Sequence, residues 1–406
     1  MPLPAAFAPI DFRRFHREDL PARLRDGLAA TAGSAAAHLR GFAIRVGPDA
    51  FTYRPGSGGI EIVSGDGAAE TVVEMDADTW QGLVHELEAA AGLVYAGRVR
   101  CVRGSAVDLM AWETPLRVMY HGRTPYDPSA VALHDRRGAA LDPGQVFPLD
   151  GDRADMAHFL RVAGYLFVRG VFSPDEVASF VTESEVLRAE ARKGDKLSWW
   201  GKNTAGDEVL CRVTRAATKP RLASLRQDDR LRSLVALADE PLVYSTGEGD
   251  GVAVIYKHPR MAEGLGDLPW HRDCGMGGHA TMCPTAITSV FLSEASPESG
   301  ALAFLPGSRH LAFNAHDPGC QGELPAAWFH ARPGDVTLHY GDTIHAAPPP
   351  SDPGRDGYRI SAIVGYARPD ASHHRGERSY NEPLHRRDDG QVEHLVDIAD
   401  RTTPHE

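Results

Sequence analysis

The sequence contains few cysteines: five are scattered over 406 residues, and no two of them form a CxxC pair. An odd, scattered set of thiols is typical of a protein from a reducing compartment. A run of about 18 apolar residues is also lacking, so we expect no helix that spans a membrane. The N-terminus, Met1-Pro2-Leu3-Pro4, lacks the basic and apolar regions of a secretory signal. Together these absences predict a cytoplasmic protein.

Positive charge is in deficit, because 43 Lys and Arg face 55 Asp and Glu for a net charge of −12. A protein that binds nucleic acid usually shows a basic surplus, so we expect a small-molecule partner and no nucleic acid. The content of 42% hydrophobic and 24% charged residues is typical of a globular protein. A chain of this length favours two domains over one.

A short polar motif, Trp270-His271-Arg272-Asp273, is the most informative feature present. Because side chains alternate along an extended chain, His271 and Asp273 would point to the same face and reach one metal ion. His345 follows Asp273 by 72 positions (345 − 273), at the end of another apolar run. Two imidazoles and one carboxylate form the facial triad of non-haem Fe(II) oxygenases.

The third metal ligand and a cation that binds a carboxylate each have to be chosen among several residues. His339 lies inside the apolar run and His279 lies on a glycine-rich loop, so His345, at a strand end, is preferred as the third ligand. Arg359 begins an apolar strand 14 residues after His345 (359 − 345) and can hold a carboxylate with two parallel hydrogen bonds. Arg355 is the alternative, within a loop of Pro, Gly and Asp.

From about residue 150 to 370 the chain resembles the phytanoyl-CoA dioxygenase family of Fe(II)/2-oxoglutarate oxygenases. The resemblance implies a double-stranded β-helix, or jelly roll, with flanking helices and iron in its mouth. It implies that His271, Asp273 and His345 bind the iron, that Arg359 binds 2-oxoglutarate, and that O2 is the second co-substrate. The matching segments, in the family's order and spacing, are residues 270–273, 298–310, 334–345 and Arg359.

Four further residues are candidates for the site. Lys257 lies inside an apolar strand 14 residues before His271 (271 − 257), and the resemblance favours a contact with the co-substrate. Thr288 or Ser289 can place one hydroxyl inward from the next apolar strand, and Thr288 is the candidate. The polar segment 193–215 precedes the core strands, which predicts a lid where Trp200 and Arg212 contact the substrate; a plain surface loop is the alternative.

The first 126 residues predict a separate α+β domain, because short strand-like runs separated by Gly and Asp are followed by helical patterns. We expect its strands to form an antiparallel meander. The domain resembles a sterol-carrier-protein-like domain in residues 71–76, the following helix and residues 96–110, which implies an apolar tunnel. The alternative is a domain that only packs or forms a homodimer.

Residues 127–152 are rich in Pro, Gly and Asp and predict a linker, so the oxygenase domain spans 153–406. Near its start, Ser173-Pro174-Asp175-Glu176 predicts a capping box that opens a helix.

The resemblance implies hydroxylation of a small or medium organic metabolite, with release of succinate and CO2. The lipid-carrier-like domain favours a lipophilic substrate. Asp273 argues against halogenation, because related halogenases carry a small residue in its place. Two other functions stay open: a non-catalytic ligand-binding or scaffold protein, and a cupin-type metalloenzyme that does not use 2-oxoglutarate.

Overall fold

The computed structural model describes residues 7–25, 27–95, 97–245, 250–262, 268–273, 285–313, 324–351 and 357–369. Two clusters of buried apolar side chains divide most of these residues between an N-terminal unit, residues 7–126, and a second region that follows it. Among the described residues, no helix has the length and apolar character needed to cross a membrane.

The N-terminal unit contains a five-stranded sheet in the order β3-β2-β1-β4-β5. Its strands are β1 (Phe42–Val46), β2 (Asp49–Gly56), β3 (Gly59–Ser64), β4 (Thr71–Glu74) and β5 (Arg100–Arg103). The expected meander holds for β1 to β3, but β4 crosses over and pairs with β1 in parallel. The prediction of a wholly antiparallel meander was therefore wrong, since the chain between β3 and β4 is long enough to reach the free edge of β1.

Helices pack against this sheet, and helices and strands together bring large aromatic rings into the core. Trp80, Trp112, Tyr53, Phe15 and Phe42 are all fully buried there. The helices are α1 (Phe12–Arg14), α2 (Leu20–Leu24), α3 (Leu28–Ala35), α4 (Ala77–Val84), α5 (Ala90–Tyr95), α6 (Ala106–Ala111) and α7 (Glu113–His121), with a π-helical turn over Phe15–Asp19.

The second region contains a nine-stranded sheet, the large sheet, and a four-stranded sheet, the small sheet. The large sheet runs β6-β7-β16-β13-β18-β11-β9-β8, with β10 also paired to β18, and the small sheet runs β12-β17-β14-β15. The strands are β6 (Val146–Pro148), β7 (Tyr165–Arg169), β8 (Ser198–Lys202), β9 (Glu208–Val213), β10 (Val243–Tyr244), β11 (Val252–Lys257), β12 (Leu268–His271), β13 (Thr285–Phe291), β14 (Ala303–Phe304), β15 (Ala327–Trp328), β16 (Val336–Tyr340), β17 (His345–Ala347) and β18 (Arg359–Ala367).

The two sheets pack face to face as a double-stranded β-helix, which confirms the predicted fold. Aromatic rings meet across the gap: the Phe304 ring of the small sheet lies 4.8 Å from Tyr165 and 5.8 Å from Phe167 of the large sheet, centroid to centroid. The mouth between the sheets is the place where the resemblance puts the metal.

Helices flank the large sheet: α8 (Arg153–Ala163), α9 (Pro174–Glu190), α10 (Pro220–Ser224) and α11 (Asp229–Val235). The predicted capping box opens α9, where the backbone N–H of Glu176 donates to Ser173 Oγ and the backbone N–H of Ser173 donates to Glu176 Oε2. These two bonds satisfy N–H groups that a helix start would leave without partners.

Two expectations about the chain's organisation need correction. The predicted linker is not wholly irregular, because Val146–Pro148 pairs in parallel with Tyr165–Arg169 and becomes the edge of the large sheet. The predicted lid over 193–215 is largely a hairpin of β8 and β9 within the large sheet. From that hairpin, Trp199 packs into the aromatic core of the N-terminal unit. Packing therefore crosses the predicted domain boundary.

Candidate metal centre and co-substrate site

Two of the predicted ligands face each other across a pair of strands. His271 at the end of β12 is the register partner of His345 at the start of β17, and the ring centroids lie 4.2 Å apart. His345 Nδ1 donates to the carbonyl oxygen of Thr343 at 2.9 Å, which leaves the lone pair on Nε2. Burial lowers the pKa of His345 to about 3, so its imidazole is neutral, the form that binds metals.

The third predicted ligand completes the cluster. Asp273 Oδ1 lies 3.6 Å from His271 Nε2 and 3.7 Å from His345 Nε2. One ligand atom from each of the three residues lies within 4.8 Å of the other two. Neighbouring donors at about 2.1 Å from one ion lie roughly 3 Å apart, so a small contraction of this cluster would enclose a metal.

A further histidine approaches the same carboxylate from the other sheet. His339 Nε2 on β16 lies 3.3 Å from Asp273 Oδ2, whereas Oδ1 is the oxygen nearest to the other two imidazoles. His339 is buried, and its ring centroid is 4.5 Å from that of His345. The alternative ligand of the sequence analysis therefore contacts a ligand and stands outside the cluster of three. His279, the other alternative, lies outside the described residues.

The predicted carboxylate-binding arginine is buried and charged. Arg359 is 4% exposed, and within the described part of the chain its Nε has no hydrogen-bond partner. Burial lowers the pKa of Arg359 to about 10, so the side chain still carries its charge at neutral pH. A buried charge without a carboxylate is costly, and a dicarboxylate co-substrate would supply the missing partner. Its competitor Arg355 lies outside the described residues.

The pairing registers place Arg359 on the face of the large sheet that carries His339. Ile287 on β13 pairs with His339 on one side and with Gly365 on the other. Arg359 precedes Gly365 by six residues (365 − 359) on the same strand. Since side chains alternate along a strand, this even separation puts Arg359 and His339 on one face.

The same registers correct the prediction for Thr288. It pairs with Leu338 and Val364, which belong to the core on the opposite face, and its hydroxyl lies 3.5 Å from the carbonyl oxygen of Val364. Ser289 shares the face of Arg359 instead. Strand β13 is apolar or small on both faces, so the sequence carries no signal that distinguishes the two phases.

Lys257 is the register partner of Arg359 and is almost fully buried. Its ammonium donates to the carbonyl oxygens of Ala347 and Pro348, at 2.6 Å each. Two of its three donors are thus directed at the chain that leaves His345. The predicted contact with the co-substrate stays a prediction, and the observed contacts hold the end of β17 in place.

The two candidate substrate residues have different surroundings. Arg212 pairs with Ile255, which in turn pairs with Ser361, so Arg212 lies on the same face as Arg359. Its guanidinium carbon lies 4.8 Å from the centroid of the Trp199 ring. Trp200 is half-buried and packs against the core of the second region. The pairing register thus brings Arg212 to the face of the site, while the contact between Trp200 and the substrate stays a prediction.

A comparison with models of protein families assigns part of the chain to a family. Residues 160–356 match the family model described as phytanoyl-CoA dioxygenase (PhyH). These residues form a phytanoyl-CoA dioxygenase family domain. The match confirms the expected enzyme class, an Fe(II)- and 2-oxoglutarate-dependent dioxygenase that also uses O2. The N-terminal unit lies outside the matched residues, so its likeness to a sterol-carrier-protein-like domain stays a prediction.

Solved structures of other proteins also resemble this chain. AviO1 from Streptomyces viridochromogenes Tue57 is 26% identical, with 54% of this chain and 96% of that chain covered and a TM-score of 0.43. The epimerase SnoN, in complex with Fe3+, alpha ketoglutarate and nogalamycin RO, is 23% identical, with 53% and 83% covered and a TM-score of 0.41. EctD from S. alaskensis, with 2-oxoglutarate and 5-hydroxyectoine, is 19% identical, with 61% and 82% covered and a TM-score of 0.42. TM-scores below 0.5 are too low to carry a substrate or reaction over to this chain. A search of the curated proteins found no match.

Proposed function

We propose that this protein hydroxylates a small or medium, lipophilic organic metabolite and releases succinate and CO2. The observation that carries the proposal is the convergence of His271, Asp273 and His345 on one point in the mouth of the jelly roll. Each of the three offers an atom that can bind iron, and they come from two segments that are 72 positions apart (345 − 273).

The donor set fits iron. Two neutral imidazoles and one carboxylate would hold Fe(II) on one side and leave adjacent positions for 2-oxoglutarate and O2. When bound, the iron supplies the oxidation that inserts one oxygen atom of O2 into the substrate as the other enters succinate. The protein's own part is to fix the three ligands, bind the co-substrate and keep water out.

Arg359 would bind the distal carboxylate of 2-oxoglutarate. It is a buried cation, it faces the same side of the sheet as His339, and its planar group can form two parallel hydrogen bonds. Among the described residues the buried Nε of Arg359 has no hydrogen-bond partner, so a bound carboxylate would supply one to this cation.

The surroundings of the site support an apolar substrate. Ile255, Ile287 and Ile363 lie on the same face of the large sheet as Arg359, and all three are only half-buried, whereas their strand neighbours on the other face are buried. Half-buried branched apolar side chains inside a barrel mouth favour contact with a ligand of similar character. Arg212, on the same face, offers a cation for one polar group.

The test is succinate formation and oxygen uptake in the presence of iron and 2-oxoglutarate, with a metabolite screen read by mass spectrometry. Asp273→Ala should weaken iron binding and abolish both signals, while Asp229→Ala, a matched change at an exposed helix position, should leave them unchanged. Persistent activity in a doubly substituted Asp273→Ala, His345→Ala protein would refute the proposal. Absence of iron and 2-oxoglutarate binding would favour the non-catalytic alternative.

A further inference from the structure

Buried charges, linked to one another through the backbone of His310, connect the N-terminal unit with the metal-binding motif. The series begins at Arg272, which stands between the candidate ligands His271 and Asp273 and is 6% exposed. Arg272 Nε donates to the carbonyl oxygen of Asp342 at 3.1 Å and lies 3.1 Å from Asp342 Oδ1, while its Nη2 donates to the carbonyl oxygen of Leu311. Its side chain is therefore fixed on the side away from the ligand cluster.

Asp342 extends this series to the segment after β14. Its carboxylate accepts from the backbone N–H of His310 at 2.8 Å and lies 2.9 Å from His310 Nδ1. Asp342 also stands three residues before His345. One buried carboxylate thus connects the chain before His345 with the chain between His271 and Asp273.

The N-terminal unit supplies the next contacts. Arg123 Nη1 donates to the carbonyl oxygen of His310 at 2.7 Å, while its Nε and Nη2 donate to Glu86 at 2.9 and 2.7 Å. Arg117 Nη1 donates to the same Glu86 carboxylate at 2.6 Å. Glu113, whose Oε1 accepts from Arg117 Nε, ends the series inside the N-terminal unit.

Backbone pairing runs beside these side chains. The N–H of Tyr126 donates to the carbonyl oxygen of Ala312, and the N–H of Ala312 donates to that of Thr124, at 2.8 Å each. The hydroxyl of Tyr126 also donates to the carbonyl oxygen of Pro306 at 3.2 Å. The segment 306–312 is therefore held between the end of the N-terminal unit and the metal-binding motif.

The series contains equal numbers of positive and negative side chains on the two sides of the boundary between the regions. Three arginines (Arg117, Arg123 and Arg272) meet three carboxylates (Glu86, Glu113 and Asp342) in a largely buried setting. Burial raises the pKa of Glu86, but Arg117 and Arg123 overcome this and lower it to about 2. Such a network is rigid only while every member keeps its partner.

We propose that the N-terminal unit helps to position the ligands of the iron centre, with Arg123 as a positioning residue. Glu86 holds Arg123, and Arg123 holds the 310–312 segment. That segment in turn positions Asp342 and Arg272, and through them His271 and Asp273. This inference rests on the proposed function, since it assigns the N-terminal unit to the same metal site. It gives that unit a role that requires no ligand of its own.

The test is Co(II) binding by the full chain, followed through its visible absorption in the absence of any substrate. Arg123→Gln should weaken Co(II) binding by about tenfold, the effect typical of losing an outer partner of a metal site. Arg123→Lys, which keeps a charged donor, should recover part of the affinity. Arg100→Gln, a matched change at an exposed arginine of the same unit, should bind like the unchanged protein.

A double-mutant cycle separates this role from general stability. If Arg123 acts through Arg272, then Arg123→Gln should add little loss of Co(II) affinity in an Arg272→Gln background. A lowered melting temperature with unchanged Co(II) affinity would overturn the inference, as would fully additive losses. If Arg123→Gln does not fold, the same titration and cycle with Glu86→Gln decide the question. Failure of the unchanged protein to bind Co(II) would refute the proposed function instead.

Discussion

His339 Nε2 lies 3.3 Å from one oxygen of the Asp273 carboxylate, while the other oxygen faces His271 and His345. The carboxylate oxygen can only accept, so His339 donates its Nε2–H to Oδ2. This leaves Oδ1, the oxygen nearest to His271 and His345, free to bind a metal with them. The two sheets thus cooperate on a single carboxylate: the small sheet carries the imidazole ligands, and the large sheet sets the orientation of the acid.

Substitution of His339 should therefore change metal affinity without removing a ligand. We expect His339→Leu to weaken Co(II) binding by about tenfold, because Asp273 loses the donor that orients it. His339→Gln should bind nearly as well as the unchanged protein, since its amide N–H can reach the position of Nε2–H. Equal affinity for the Leu and Gln variants would show that the contact does not orient Asp273.

Loss of the Arg359 charge should appear in the KM for 2-oxoglutarate. Removing one partner of a buried, hydrogen-bonded charge pair costs about 2 kcal/mol or more, so Arg359→Met should raise this KM roughly 30-fold or more. Arg359→Lys should raise it less, because a point charge replaces the planar fork. Steady-state succinate formation measures the effect, and an unchanged KM would exclude Arg359 as the anchor.

Thr288→Val provides the matched control for Arg359, because the substituted side chain lies on the opposite face of the same sheet. The KM for 2-oxoglutarate should stay the same, although stability can fall through loss of the contact with the Val364 carbonyl oxygen. A raised KM in Thr288→Val would contradict the pairing register of β13 and β18.

We expect the free energy of unfolding to fall at acid pH because of His16, which lies in the core of the N-terminal unit. Its Nδ1 donates to the carbonyl oxygen of Phe12 at 2.7 Å, and its Nε2 accepts from the hydroxyl of Tyr53 at 2.5 Å. Burial lowers the pKa of His16 to about 4, against about 6.5 for an unfolded chain. The unfolded state thus binds a proton that the folded state excludes.

The free energy of unfolding should therefore fall as the pH drops from about 6.5 to about 4, and it should be unaffected by this group at higher pH. The full loss is about 3 kcal/mol, since a tenfold difference in proton affinity between the folded and unfolded states corresponds to about 1.4 kcal/mol. Urea unfolding of His16→Phe and the unchanged protein at several pH values isolates the contribution. The exposed His38→Gln serves as control, and parallel pH curves for His16→Phe and the unchanged protein would contradict the prediction.

The parts of the molecule that the sequence predicted are those fixed by local chemistry. The sequence could bring His271, Asp273 and His345 together as a candidate cluster because few side chains bind metals, because the first two stand two apart on an extended chain, and because His345 follows an apolar run. The capping box at Ser173 and Glu176 was confirmed for the same reason, since it needs only four adjacent residues.

The parts that the sequence did not predict depend on distant pairings or on strand phase. Arg123 and His310 are 187 positions apart, and neither shows any local pattern that links it to the other. Thr288 and Ser289 are equally suitable in type, and only the register with β16 and β18 decides which one faces the site. A strand that is buried on both faces carries no alternation from which to read that phase.

Lys257 allows two different roles, and one substitution separates them. In the structure its ammonium holds the carbonyl oxygens of Ala347 and Pro348, just after the candidate ligand His345. Lys257→Met would leave both carbonyls buried without that donor, which should lower the free energy of unfolding by about 1–3 kcal/mol. Loosening of β17 should also weaken Co(II) binding, while the KM for 2-oxoglutarate stays unchanged.

The predicted contact with the co-substrate gives the opposite pattern for Lys257→Met: a raised KM for 2-oxoglutarate with Co(II) affinity intact. Lys202→Met, at an exposed position of β8, controls for loss of a lysine charge and should change neither quantity. Urea unfolding, Co(II) titration and steady-state kinetics on these two variants therefore decide between a lysine that holds the ligand strand and one that binds 2-oxoglutarate.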